Sequence, residues 1–469
     1  MNGCLAAAQA IPAVSRTSAI VLLWVLIGVA AITLALPRGR RIARQIYAVA
    51  VLGFREGIRL KLLWTVLVLS VIPGALAYFS EADGTHAGRA RLILDTCLSS
   101  GEVLGAALIV LLSALSVARE IESRIMHTFG TKPIPRWAIL AGKTLGFWAV
   151  DILFLAGLAL FTGALVRMVP LRNEARTGGS QVVSGDWEDL RRNTLTTRYY
   201  RNGDNEPEKA MYKFIAPGNT FQWNFTTDPA ESKGDPLALR ILISSTHTFA
   251  SRIDDVKVVA GYAGKAPLID RNMTILTERP LDLFLEHKDI VPGTLNVTIT
   301  ASTAGRYPPS IVAQRPRAVQ VGITGDSFEM NMLKSFLLMA IQGWILAVIT
   351  TSWSGVLSFP VTVALGAILV LGGEMSREAL QLLQASAQRS HSVTVGLEAA
   401  DSADKSVLVQ FVLKLLPDFR AAGSPAAFSE GTLLSGWGLA EAALWMGVVR
   451  GVGWALPGFV FFNAREVGR

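Results

Sequence analysis

The chain has 469 residues, of which 51% are hydrophobic and 17% charged, with a mean hydropathy of +0.41 and a formal net charge of +8. This balance excludes a disordered or strongly acidic chain, and the apolar residues fall in runs long enough to cross hydrocarbon, which excludes an ordinary soluble domain. The basic clusters lie beside those runs, so nucleic acid is set aside as a partner and the lipid bilayer takes its place.

The first apolar run, Ala19–Leu36, is read as a retained N-terminal span. Only Arg16 precedes it and the basic cluster follows it, which is the reverse of a secretory signal peptide, the alternative reading. Arg38, Arg40, Arg41, Arg44, Arg55, Arg59 and Lys61 come next. Among them Ile46, Val49, Leu52 and Ile58 recur at helical spacing, so Ile42–Leu60 is expected as an amphipathic helix on the inner membrane surface, or else as a tilted extension of the next span. Leu62–Phe79 and Val103–Ala118 are the second and third runs, the latter short but extendable through Ser99–Glu102.

Between the third and fourth runs lies AREIESRIMHTFGTKPIPRWAILAGK, Ala118–Lys143, charged and broken by Pro133 and Pro135, which block a helix through the corner. Arg119, Arg124, Lys132, Arg136 and Lys143 place this elbow on the cytoplasmic side by the positive-inside rule. A short charged elbow projecting from a membrane is a handle on which another protein can push. The fourth run, Leu145–Val166, contains Asp151, and the last contains Arg450; a buried intramembrane pair between these two is one reading, and snorkelling of Arg450 the other.

Residues 170–331 change character. They contain 19 basic and 19 acidic residues, so the whole charge excess lies elsewhere. Period-two runs recur in FQWNFT (Phe221–Thr226), LALRILISS (Leu237–Ser245), VKVVAGYA (Val256–Ala263), LNVTITAS (Leu295–Ser302) and AVQVGITG (Ala318–Gly325). Pro217-Gly218, Asp235-Pro236, Pro292-Gly293 and Pro308-Pro309 divide them, and the pattern predicts an antiparallel β-sandwich after a mobile lead-in, Leu171–Asp204. Leu333–Ser352 and Gly355–Gly373 follow as spans joined by a tight turn, then Glu374–Thr432 with amphipathic stretches at Arg377–Gln388 and Val407–Phe419, and a last span within Leu433–Phe462.

Threading from the cytoplasmic elbow puts the N-terminus, 167–332 and 374–432 outside and the C-terminus inside, with Arg465 and Arg469. The expected fold is a polytopic α-helical membrane protein with six core spans, one additional N-terminal span and an inserted extracytoplasmic β-sandwich. Its parts are 1–41, 42–169 with the elbow at 118–143, 170–331, 332–373, 374–432 and 433–469.

Catalytic chemistry is not legible. His86, His127, His247, His287 and His391 are scattered without metal-ligand spacing, so no metal or cofactor is expected. Cys4 and Cys97 both fall outside in this topology, as free thiols or a disulfide. Asn224, Asn272 and Asn296 stand in glycosylation sequons. Gly142-Lys143-Thr144 ends like a phosphate-binding loop, but Trp137 stands where that loop needs glycine, so no ATPase activity is expected of the chain itself.

The elbow resembles that of ABC-2-type permeases: Glu120 and Glu122, Arg124, the turn Gly130-Thr131-Lys132-Pro133, and Arg136 followed by Gly142-Lys143. FREGIRLKLLW (Phe54–Trp64) resembles the start of the family's first core span, while SFEMNMLKSFLL leading to LSFPV (Ser327–Val361) and KLLPDF (Lys414–Phe419) are similar to its multicopper-enzyme-maturation branch. The extra first span, Phe129-Gly130 in place of an aliphatic pair, and the large external domain depart from the family pattern. The resemblance implies a permease subunit in the bacterial inner membrane, paired with a second permease as homodimer or heterodimer. A separate ATP-binding subunit with its ATP and magnesium would press on the elbow.

On that reading Glu120, Glu122, Arg124, Lys132, Arg136 and Lys143 couple the elbow to the ATPase, with Pro133 and Pro135 stiffening it. Arg55 and Glu56 supply a second contact. A membrane-anchored scaffold, or a force-transmitting protein whose β-domain binds partners without solute transport, is the alternative function.

Overall fold

A computed structural model describes residues 36–80, 86–122, 134–168, 198–202, 212–215, 218–227, 237–245, 252–262, 264–276, 281–285, 289–301, 311–314, 318–324, 327–373, 428 and 436–464. The expected first span, the corner of the elbow and both amphipathic stretches of 374–432 lie outside the described residues.

Helix α1 (Pro37–Arg59) opens with proline in its first turn, where the missing N–H is not needed. It ends where Lys61 takes a left-handed conformation (φ 57°), a sharp break without glycine, after which α2 (Leu62–Phe79) begins. Helix α3 (His86–Glu122) has 37 residues, about 55 Å at the α-helical rise, and is apolar enough to span over Arg89–Val117. The expected run from Val103 was too short because Arg89, Arg91, Asp95 and Glu102 interrupt the hydropathy without interrupting the helix.

Helix α4 (Arg136–Met168) begins directly after Pro135, whose carbonyl accepts from Ala138 N at 2.9 Å. The second proline therefore starts the helix, and Arg136 to Lys143 belong to α4 and not to the corner.

The β region follows. It consists of β1 (Arg198–Asn202), β2 (Tyr212–Ile215), β3 (Thr220–Thr227), β4 (Leu237–Ile241), β5 (Ile243–Ser245), β6 (Arg252–Tyr262), β7 (Ile269–Leu276), β8 (Leu281–Leu285), β9 (Gly293–Thr300), β10 (Ile311–Gln314) and β11 (Val319–Thr324). The strands pair antiparallel in three sheets, ordered β1-β11-β4-β8, β2-β10-β5 and β3-β9-β6-β7. The expected lead-in thus holds a strand, β1.

LALRILISS divides at Leu242, whose N–H donates to Ala318 O at 2.8 Å, and the chain passes there from the first sheet to the second. Alternation sets the buried sides: Trp223, Phe225, Leu295, Val297, Ile299, Val256, Val258 and Ala260 from the third sheet join Leu237, Leu239, Ile241, Val319 and Val321 from the first in one apolar cluster.

Helix α5 (Phe328–Ser354) is capped by Ser327 Oγ, which accepts from Met330 N. It is followed by the short apolar helix α6 (Phe359–Gly373), by α7 (Gly436–Ala442), a π-helical stretch (Ala443–Arg450) and α8 (Gly451–Ala464). Among the described residues five helical segments are long and apolar enough to cross a membrane: α2, Arg89–Val117 of α3, α4, α5 and Gly438–Phe462. The expected span at Gly355–Gly373 is the shorter α6.

Helix α5 lies against α3, α4 and α8, and indole N–H groups tie it to its neighbours. Trp148 donates to Ala340 O at 2.7 Å and Trp353 to Trp454 O at 3.0 Å. Trp344 donates at 3.3 Å to Gly447 O, a carbonyl of the wider π turn.

The helices sort the chain's ends. The root of the elbow, the α5–α6 turn and the end of α8 meet in one apolar cluster of Val49, Val117, Ile139, Leu140 and Phe462, with Ile134, Val356 and Phe459 against it. At the opposite end Tyr78 Oη donates to Met168 O, and there the β region leaves α4 and returns to α5.

Candidate functional site: a buried charge cluster at the elbow root

Close helix packing brings the site together. Gly53 and Gly57 on α1 face Gly142, Gly146 and Val150 on α4, so two GxxxG stripes meet and the backbones approach closely. A Cβ at Gly146 would lie 2.5 Å from Ala50 O and 2.9 Å from Phe54 N; one at Gly142 would lie 2.8 Å from Ile46 O. Residues 46–57 of α1 therefore run parallel to 142–150 of α4. α1 packs along the first half of α4, and α2 follows along the same helix past the break at Lys61.

This packing places Glu56, between the two α1 glycines, beside Lys143. The Lys143 side chain is 1% exposed, and its ammonium lies 2.7 Å from Glu120 Oε1, 3.5 Å from Glu56 Oε2 and 2.7 Å from Ser116 Oγ. Ser116 Oγ accepts from Lys143 and donates to Glu56 Oε1 at 2.8 Å, so one hydroxyl bridges cation and anion. Phe147 covers the group, its ring centroid 5.9 Å from Nζ. A buried ammonium left alone is costly, and two carboxylates with a hydroxyl supply the partners it requires.

Two of the residues proposed for the elbow, Lys143 and Glu120, and Glu56 of the second contact thus have a different setting from an exposed docking surface. Lys143, expected as a coupling residue, faces inward and is buried among its partners. Glu120 and Glu56 point their carboxylates at it, whereas Arg55 is exposed on α1. Pro135 and Arg136 are partly exposed at the start of α4. The side chain of Glu122 and all of Arg124, Lys132 and Pro133 lie outside the described residues.

Burial pushes the Glu120 carboxyl above its ordinary value near 4.5; Lys143 pulls it back, and the Glu56 carboxylate adds to the rise. A raised carboxyl pKa means that the folded protein holds this proton more tightly than the unfolded chain does. Its stabilising contribution is therefore complete below about pH 4.5 and is lost as pH rises through the raised value. Thermal unfolding followed in detergent should show a midpoint that falls across this window, and Glu120→Gln should remove that component of the slope.

The second intramembrane expectation is not met. Asp151 is 1% exposed, and neither carboxylate oxygen has a hydrogen-bond partner among the described residues. It is wedged between α3 and α5, where a Cβ at Gly105 would lie 3.3 Å from Oδ1 and one at Gly343 would strike Oδ2. The Asp151–Arg450 pair is not formed, because Asp151 points to these two glycines while Arg450 sits on the π-helical stretch. Cys97 is a free, buried thiol in the bundle core and not an external one, and Cys4 lies outside the described residues. Among the described residues no group of three or more His, Cys, Asp or Glu side chains is placed to hold a metal.

Sequence reasoning missed the cluster as a unit. The usable signal was GFREG in α1 set against GKTLG in α4, two small-residue stripes of which the first encloses Glu56 beside Arg55 and the second Lys143.

Residues 47–180 match the family model described as ABC-2 family transporter protein, which bears out the resemblance to ABC-2-type permeases over α1 to α4 but does not reach the proposed branch. With its apolar helices, this makes the chain a multi-pass membrane protein. No curated protein and no solved structure matches the chain.

Proposed function

We propose, from the ABC-2-type permease family that this membrane segment matches, that the chain is the transmembrane subunit of a transporter driven by a separate ATP-binding subunit. The observation that carries the reading is the coincidence of the family match, 47–180, with α1 to α4, the elbow root and the Lys143 cluster. The elbow faces the cytoplasm, and Glu122, Arg124, Lys132 and Arg136 form its docking charges with Arg55 of α1, while Pro133 and Pro135 stiffen it. Two permeases assemble in a bacterial inner membrane.

The β region, folded as a sandwich, lies outside and receives the movement. This arrangement is supported by the position of its two connections, at the bundle end opposite the elbow. ATP-driven closure of the partner would displace the elbow, and α3 and α4 would carry that displacement across the bilayer.

Co-purification after mild solubilisation tests the proposal. A stoichiometric ATP-binding subunit is expected with the wild type, and it should be lost from the charge-reversed Glu122→Lys/Arg136→Glu variant. Its absence from the wild type would favour a scaffold, and its retention by the double variant would overturn the elbow as docking site. Glu120→Lys is a poor probe, because it sets a second ammonium against Lys143.

A further inference from the structure

We infer that Lys143, Glu56, Glu120 and Ser116 are positioning residues that form a force-bearing joint, locking α1 to the two helices that emerge from the elbow. The inference rests on the permease reading and deepens it, assigning to these four groups transmission in place of docking.

Four observations support it. The ammonium bonds simultaneously to α3, through Glu120 and Ser116, and lies against Glu56 of α1, while its own backbone belongs to α4. Ser116 and Glu56 likewise each touch both of the other helices, so the cluster as a whole joins all three. The contacts to α3 are charge-assisted, short and largely removed from solvent, so weakly screened, while the longer contact to the half-buried Glu56 is reinforced by the Ser116 hydroxyl that bonds both groups. The glycine stripes on either side prevent α1 from sliding without a backbone collision. Finally, the sole break between α1 and the lipid-facing α2 is the left-handed Lys61, so a displacement delivered to α1 reaches α2 within one turn.

An elbow joined only by its loop would yield locally. With the joint made, the ends of α3 and α4 and the whole of α1 move as one body, and a push at the elbow is carried to α2. The two carboxylates are not redundant: Glu120 binds the elbow's incoming helix, and Glu56 binds α1.

The test uses the full chain with spin labels at Tyr47→Cys on α1 and Trp137→Cys at the start of α4, both exposed positions. Distances are measured in nanodiscs, together with ATP turnover and stoichiometry of the co-purified ATP-binding subunit. Two variants are compared with the wild type: Lys143→Met, and Lys143→Met/Glu56→Gln/Glu120→Gln, which removes every charge of the cluster and leaves none buried unpaired.

Both are expected to keep the ATP-binding subunit at wild-type stoichiometry, to broaden the label distance, and to lower permease-dependent ATP turnover by at least about fivefold. Where Lys143→Met alone fails to fold, the triple variant decides. Unchanged distance and turnover would overturn the joint, as would loss of the ATP-binding subunit with an unchanged distance, which would make the cluster a docking element. If the wild type carries no ATP-binding subunit, the permease reading fails, and the label distances alone decide whether the joint exists.

Discussion

Alanine at Gly146 is expected to lift α1 from α4 and to destabilise the protein by about 1–3 kcal/mol, the usual cost of forcing a methyl into a filled interface. The new Cβ would lie 2.5 Å from Ala50 O, 2.9 Å from Phe54 N and 3.1 Å from Gly53 C. All three are backbone atoms, so no side chain can rotate aside and the helices must part. Separation would also draw Glu56 away from Lys143, leaving a buried ammonium with fewer partners, and the two losses add. Gly157→Ala is the control: on the same helix its Cβ would meet only the tip of Leu67, at 3.2 Å. Thermal unfolding in detergent should separate the two variants clearly, and equal midpoints would show that the α1–α4 contact is not a close-packed one.

The same interface shows what the sequence made legible and what it did not. The limits of α2 were readable because Lys61 and Ser80 bound an uninterrupted apolar run, and β3, β6, β9 and β11 were readable from their period of two. The length of α3 was hidden, because Arg89, Arg91, Asp95 and Glu102 interrupt the apolar run without interrupting the helix. The switch of sheets at Leu242 left the alternation intact, so nothing in the residue pattern announced it.

Of the site, the charged residues were found and their partners were not. Lys143 was grouped with the elbow because it is charged, whereas the α-helical count from Pro135 turns it inward two turns later. Asp151 was given Arg450 because both stood out by charge; which residues faced Asp151 depended on the crossing of α3 and α5, set by packing across more than 190 residues of chain.

Asp151→Asn is expected to raise stability, by about 1 kcal/mol or more, because it removes the extra cost of burying an ionisable group without a partner and leaves only that of a neutral polar one. The substitution keeps the shape, so the contacts with Gly105 and Gly343 persist and no cavity opens. An acidic side chain without a partner inside a helix bundle is a candidate for function. On the proposed permease function, stability and the ATP turnover of the co-purified complex should therefore move in opposite directions, the midpoint rising in detergent while turnover falls. A variant more stable and equally active would make Asp151 a tolerated liability. A less stable one would show that the carboxylate is satisfied in the membrane by a group outside the described residues. Gly343→Ala supplies the complementary perturbation: its Cβ would strike the carboxylate from the opposite helix, so it should destabilise the wild type strongly. It should do so in the Asn variant as well, since the collision is steric and independent of charge.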